Sequence, residues 1–183
     1  SEYLSQHGIN PCAFLQDLSR HPGAKTATAW LADVGQHQMW AAQYLEFGEN
    51  QRFLTSGGMG AMGYGLPAAI GASMTAAEKP VVLIAGDGGF QLNLQELQTV
   101  VRNRLPVKIV LFNNQCHGMV RQFQQSYFHE RYRSTMWGYN TPDFTAVAAA
   151  YGIASRTIDQ PQSIPGALAF LFEKPEEPTL LQV

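Results

Sequence analysis

"VVLIAGDGGFQLNLQELQTVVRNRLPVKIVLFNNQ", residues 81 to 115, places two short apolar runs, VVLIA (81 to 85) and VKIVLF (107 to 112), on either side of a polar-apolar segment. Both runs are rich in β-branched residues and almost free of polar ones, which is the pattern of strands covered on both faces. Between them Leu92, Leu94, Leu97, Val100 and Val101 recur near helical spacing, so one face of that segment is expected to cover the sheet. Strand, helix and strand in this order predict a right-handed crossover between two parallel central strands. Asp87 follows the first run and Asn114 the second, so a carboxylate and a carboxamide return to the same rim.

The same alternation extends outward. Asn10 and Pro11 make a cap and first-turn pair for a helix through about Arg20, and TATAWLAD (26 to 33) reads as a strand ending at Asp33. Thr141 and Pro142 are expected to start a helix through Tyr151, followed by a strand in ASRTI (154 to 158). A helix in SIPGALAFLFEK (163 to 174) and a strand in TLLQV (179 to 183) complete the chain. The expected fold is α/β, a doubly wound, mostly parallel sheet with helices on both faces. Ligands bind such sheets where the carboxyl ends of the strands meet a topological switch point.

Composition narrows the classes. With 183 residues, 45% of them hydrophobic and 14% charged, the chain is expected to form one domain over 1–183 around a full core. A net charge of −2 without blocks of like charge excludes an electrostatic footprint for nucleic acid or anionic membrane. No apolar run is long enough to span a bilayer and no signal pattern opens the chain, so a cytoplasmic location is expected. Cys12 and Cys116 read as two unpaired buried thiols. The chain opens on Ser1 and stops on an apolar run with no turn after it, which suggests a fragment of a longer, multidomain polypeptide.

A carboxylate and an amide oxygen on neighbouring strand ends offer two hard oxygen ligands of small total charge, suited to Mg²⁺ or Ca²⁺ held together with phosphate oxygens. Gly86, Gly88 and Gly89 allow close backbone approach, and the amino end of a helix after Gly89 favours an anion. Alone, Asp87 would be a helix cap and Gly-Asp-Gly a turn. The pair at this spacing is the sharper signal.

"GDG" followed at this distance by "NN" resembles the cofactor signature of the thiamine-diphosphate-dependent enzymes. DVGQHQMWAAQY (33 to 44), TSGGMGAMGYGLPAAIGA (55 to 72), NNQCHGMVRQFQ (113 to 124) and FHERYRST (128 to 135) resemble the carboxyl-terminal cofactor domain of the acetohydroxyacid (acetolactate) synthase family. The resemblance implies side-chain metal ligation by Asp87 and Asn114, with the backbone carbonyl of Cys116 as a third ligand. Gln36, His37 and the amides around Gly88, Gly89 and Gly118 would contact the diphosphate. Gly60 and Met62 would be the catalytic supports, Gly60 holding the aminopyrimidine through its backbone and Met62 wedging the cofactor into a bent shape that favours its internal proton transfer. Phe123, where the resembling enzymes carry tryptophan, and Met119 would line the pocket for the second substrate.

The implied activity is decarboxylation of a 2-oxoacid such as pyruvate and ligation of the product to a second carbonyl, with a weakened preference for the branched-chain precursor. Met39, Trp40 and Tyr44 read as packing. The resemblance also implies an activating glutamate on a pyrimidine-binding domain of another subunit, since neither Glu96 nor Glu130 matches that role. A homo-oligomer and a flavin (FAD) in the parent protein go with it, and the isolated domain is expected to be inactive.

Two other readings compete. Gly58, Gly60 and Gly63 spell G-x-G-x-x-G, and Asp87 ends a following strand where a ribose-binding acid would sit, which points to a nicotinamide- or flavin-nucleotide oxidoreductase. Against it, RFLTS (52 to 56) is short and polar for a central strand, Pro67 interrupts the helix, and Asn113 and Asn114 have no task. A non-catalytic regulatory homologue that keeps the fold is the third reading.

Overall fold

The computed structural model describes residues 8–76 and 78–183. It contains six strands, β1 Ala29–Ala32, β2 Arg52–Thr55, β3 Val81–Gly86, β4 Val107–Phe112, β5 Ala154–Thr157 and β6 Thr179–Gln182. They form one sheet in the order β2-β1-β3-β4-β6-β5. Every pairing is parallel, including β3 with β4, where Val81 faces Val107 and Gly86 faces Phe112. All six residues of β3 and all six of β4 are buried.

Alternation along the strands divides the core in two. Trp30, Ala32, Val82, Ile84 and Val110 face α1 (Pro11–Arg20), α3 (Gln36–Tyr44) and α9 (Ile164–Phe172). Leu31, Val81, Leu83, Ile109 and Leu111 face α4 (Gly65–Met74), α6 (Leu97–Arg102) and α8 (Phe144–Ala150). Helices therefore cover both faces, as the doubly wound reading requires.

Local chemistry sets the ends. Asn10 caps α1, its Oδ1 accepting from the Cys12 and Ala13 amides at 2.9 and 3.2 Å, with Pro11 in the first turn. A short helix α2, Pro22–Lys25, follows at once and was not expected. It draws Thr26 into helical backbone, the hydroxyl bonding the Gly23 carbonyl at 2.7 Å, so β1 starts three residues later than the sequence pattern suggests. Helix α8 is capped by Asp143, whose Oδ1 accepts from Thr145 and Ala146, and not started by Thr141 and Pro142.

The crossover between β3 and β4 is not one helix. It is α5 (Asp87–Gln91), a 3-10 turn at Leu94–Glu96 and then α6. Helix α5 begins at Asp87 itself rather than after Gly89. Leu97 and Val100 face the core, but Leu92 is 57% exposed because the break at Asn93 rotates it off that face. Met39 is exposed rather than packed, while Trp40 and Tyr44 do pack against the core. Of the thiols only Cys116 is buried; Cys12 is half-buried on α1, and both are free. Among the described residues no helix is long and apolar enough to cross a membrane.

Candidate functional site

Strands β1 and β3 are neighbours, yet the chain leaves β1 toward the edge strand β2 and leaves β3 toward β4. Loops after the two strands must therefore part, and the crevice between them is the switch point of the sheet. A cavity of about 320 Å³ opens there. Gln36, His37, Gly60, Met62, Gly86, Asp87, Gly88, Gly89, Asn114, Cys116, Gly118 and Met119 all line it. Phe123 does not; it lies farther along α7 (Gly118–Tyr127), 55% exposed, its ring 4.7 Å from that of Tyr127.

Asp87 is 3% exposed. Its Oδ1 accepts from the Gly88 amide at 2.9 Å, while its buried Oδ2 has no partner. Burial raises its pKa above the usual carboxylate value, opposed by the Gly88 N–H and by the nearby Tyr139 hydroxyl. An ionised oxygen held dry without a hydrogen bond is costly, and a cation would satisfy it. Asn114 is exposed; its Oδ1 accepts from the Cys116 amide at 3.2 Å and its Nδ2 donates to Gln36 Oε1 at 3.4 Å. Among the described residues no three His, Cys, Asp or Glu side chains converge. A metal here would draw on Asp87, the Asn114 amide and backbone carbonyl oxygen, and would need further oxygens from a bound anion.

His37 is 5% exposed and its Nε2 has no partner. Burial holds its pKa down at about 4, with the Asp33 carbonyl a smaller opposing influence, so the ring is neutral at pH 7. A Cβ at Gly35 or Gly86 would lie 2.6 or 2.7 Å from the His37 ring. A Cβ at Gly88 would meet His117 at 2.6 Å, and one at Gly89 the Asp33 carboxylate at 2.7 Å. From the sequence, Gly86, Gly88 and Gly89 are expected to allow close approach of a ligand. The structure shows that protein side chains use the same freedom.

Four participants had escaped the sequence reading. Asp33, 1% exposed at the end of β1, accepts from the amides of Val34 and Gly63. Asn93 donates to the Gly63 carbonyl. The Tyr139 ring packs 4.6 Å from that of His117, and its hydroxyl lies close to Asp87 and Gln91. Asp33 had a detectable signal, an acid ending a strand pattern just as Asp87 does. The other three stand in loops or at helix breaks with no periodicity to mark them.

The dinucleotide reading loses its strand context. The segment with Gly58, Gly60 and Gly63 follows β2, an edge strand paired only with β1, and Asp87 ends β3, which is not a neighbour of β2. In a dinucleotide fold the glycine loop follows a central strand and the acid ends the adjacent one. Gly60 and Gly63 do adopt left-handed backbone, φ +68° and +85°, and so serve this loop as turn residues.

Comparison with known proteins shows the family. The family described as thiamine pyrophosphate enzyme, C-terminal TPP binding domain, matches residues 33–183. The chain is 49% identical over 151 residues to the acetolactate synthase isozyme 2 large subunit of Escherichia coli (strain K12), which covers 82% of this chain and 27% of that protein. It is 47% identical over 143 residues to the acetolactate synthase large subunit of Pyropia yezoensis, covering 78% of this chain and 24% of that one. For the Lactococcus lactis subsp. lactis (strain IL1403) large subunit the identity is 43% over 153 residues, 84% of this chain and 26% of that protein. The chain thus spans about a quarter of the length of these curated relatives.

Proposed function

Because this chain belongs to the thiamine pyrophosphate enzymes, as their C-terminal TPP-binding domain, we propose that it is the cofactor-holding part of an acetolactate synthase-like carboligase. The reaction is decarboxylation of a 2-oxoacid such as pyruvate and ligation of the product to a second carbonyl. The observation that carries this reading is the buried, unpartnered Asp87 Oδ2 in the same cavity as Asn114, at the switch point of a parallel sheet.

Asp87, Asn114 and the Cys116 carbonyl would hold Mg²⁺, and Gln36, His37 and the amides around Gly88, Gly89 and Gly118 the diphosphate. The bound cofactor supplies a carbon nucleophile and a sink for the electron pair released with CO₂. The protein's own share is binding, orientation and exclusion of water. Asp87 places negative charge against the metal, and the buried His37 ring, neutral at pH 7, turns its unpartnered Nε2 to the cavity without bringing a second buried charge. Gly60, free of a side chain, leaves room at the pyrimidine end, and the Met62 thioether leans toward Gly88 as a soft support for a bent ligand.

Among the described residues Asp87 is the only carboxylate lining this cavity. Glu96 accepts from the Thr99 hydroxyl at 2.9 Å, and Glu130 lies in an exposed loop. The activating glutamate would come from a pyrimidine-binding domain of another subunit, in a homo-oligomer placed in the cytoplasm, with any FAD of the parent bound outside these residues. Helix α7 fits such a contact: it has an apolar face of Met119, Val120, Phe123 and Tyr127 and buries none of its residues.

Calorimetric titration of the intact protein with thiamine diphosphate, with and without Mg²⁺, tests the reading, followed by product identification from pyruvate. Metal-dependent binding and acetolactate formation are expected. Binding without turnover would favour the regulatory homologue, and steady turnover by these 183 residues alone would overturn the need for a second domain.

A further inference from the structure

Gly63 is held from both sides. Its amide donates to both oxygens of Asp33, at 3.0 and 3.2 Å, and its carbonyl accepts from Asn93 Nδ2 at 2.7 Å. We propose that Asp33 and Asn93 are positioning residues that clamp the two peptide groups flanking Gly63 and so fix the height of Met62 over the cofactor cavity. This rests on the reading of the cavity as a thiamine diphosphate site.

The two clamp residues come from separate parts of the fold. Asp33 ends β1, and Asn93 sits at the break between α5 and the 3-10 turn, in non-helical backbone at φ −133°. Asn93 thus interrupts the crossover helix at the point where its side chain reaches across to Gly63. Helix α4, which follows the loop, has no acidic residue in its first turn and no cap from Tyr64. The Asp33 carboxylate supplies that charge from outside the helix, through hydrogen bonds that its ionisation strengthens. The fit is tight: Cβ atoms at Gly65 and Gly89 would lie 2.9 and 2.7 Å from Asp33 atoms. A Cβ at Gly63 would lie 2.9 Å from Asn93 Nδ2, so a substitution there would push directly on the clamp.

Met62 stands next to this fixed point. Its side chain is 39% exposed; the backbone on its carboxyl side is tied by two partners at Gly63, and that on its amino side by the Ala61 amide to Ser56 Oγ at 3.3 Å. Its methyl group would lie 3.3 Å from a Cβ at Gly88. The clamp therefore sets where the thioether can reach without gripping the thioether itself. Through Asn93 it acts at the loop wall of the cavity and not at the Asp87 and Asn114 end, whereas Asp33 also underlies Gly89.

That difference gives the test. Asn93→Ala and Asp33→Asn are made in the intact protein, and two ligands are titrated by calorimetry in the presence of Mg²⁺: thiamine diphosphate and inorganic diphosphate. Each variant is expected to weaken thiamine diphosphate at least about tenfold, the size of loss typical when a residue that orients a ligating group is removed. Inorganic diphosphate, which does not need Met62, is expected to bind Asn93→Ala within about twofold of the parent. A cycle with Met62→Ala is expected to be strongly non-additive, the double variant losing little more than the worse single one. Equal weakening of both ligands by Asn93→Ala, additive losses in the cycle, or no change in either ligand would overturn the clamp. Should Asp33→Asn fail to fold, half-buried Asn93 carries the same expectations alone. Failure of the underlying reading looks different: Asp87→Ala would then leave both titrations unchanged, and the clamp would fall with it.

Discussion

The two ends of the sheet bury charge in opposite ways. At the amino end, Lys108 on β4 is fully buried, and its Nζ donates to the carbonyls of Lys174 and Glu177 at 2.6 and 2.5 Å and to Thr179 Oγ1 at 3.3 Å. Three acceptors match the three protons of an ammonium. At the carboxyl end, Asp87 Oδ2 and His37 Nε2 are equally dry and have no partner. Among the described residues Thr28, Trp30, Ser73 and Gln182 also bury an unpaired polar atom, but only Asp87 and His37 do so while lining the switch-point cavity. A satisfied buried charge holds the fold together, whereas open bonding capacity facing a cavity is kept for a ligand.

Exchanging the two roles is the strongest way to break this comparison. Asp87→Ala is expected to weaken Mg²⁺-dependent thiamine diphosphate binding by at least about a hundredfold, because the phosphates lose the cation's anionic ligand. Asn114→Ala, which removes a neutral ligand, costs about tenfold. Urea denaturation of ligand-free Asp87→Ala should show no loss of stability, since the removed carboxylate was only half satisfied. Lys108→Met is expected to do the reverse. It leaves two buried carbonyls unpaired and lowers stability by about 2–3 kcal/mol, with cofactor affinity unchanged.

The two ends also separate in pH. His37 is held at about 4 by burial, below its ordinary 6.5. Lys108 is held at about 8 by burial, below 10.5 and partly restored by Glu176 and Glu177. Both folded-state values lie below the unfolded ones, so in each window the unfolded chain binds more protons and stability rises with pH. His37 should therefore raise the denaturation midpoint from pH 4 to 6.5, against the opposite slope of the buried Asp87 and Asp33 carboxyls, whose raised pKa values make stability fall as pH rises, and Lys108 should raise it from 8 to 10.5. His37→Gln should flatten the first rise and Lys108→Met the second. Saturating cofactor should alter only the acid one.

The smallest expected effect lies outside the cavity. If Phe123 shapes the acceptor pocket, Phe123→Trp shifts the product ratio from mixed pyruvate and 2-oxobutyrate by roughly three- to tenfold, the low end of what methylene-scale contacts discriminate. An unchanged ratio would confine Phe123 to its contacts with Tyr127 and Phe128.

What could be read from the chain follows from range. Periodicity is a local property, so the buried strands β3 and β4, their parallel pairing and the shared rim of Asp87 and Asn114 were legible from residues 81 to 115. The break at Asn93 was not, because its cause, a hydrogen bond to Gly63, lies thirty positions back in the chain. The three glycines around Asp87 were recognisable as sites of close approach, but not as beds for His37, His117 and Asp33, which arrive from other loops. Asp143 outcompeted Thr141 as a cap because its carboxylate reaches two amides at once, a choice that spacing alone does not make.

The cavity wall is assembled from four stretches, 34 to 40, 60 to 62, 86 to 89 and 112 to 120, carried by strands that meet only through crossovers. None of these stretches makes a site alone, so nothing in the unfolded or partly paired chain offers the ligand a foothold. A molecule bound there is expected to leave the speed of refolding almost untouched and to slow the escape from the native state. The liganded protein is thus expected to differ from the ligand-free one chiefly in lifetime.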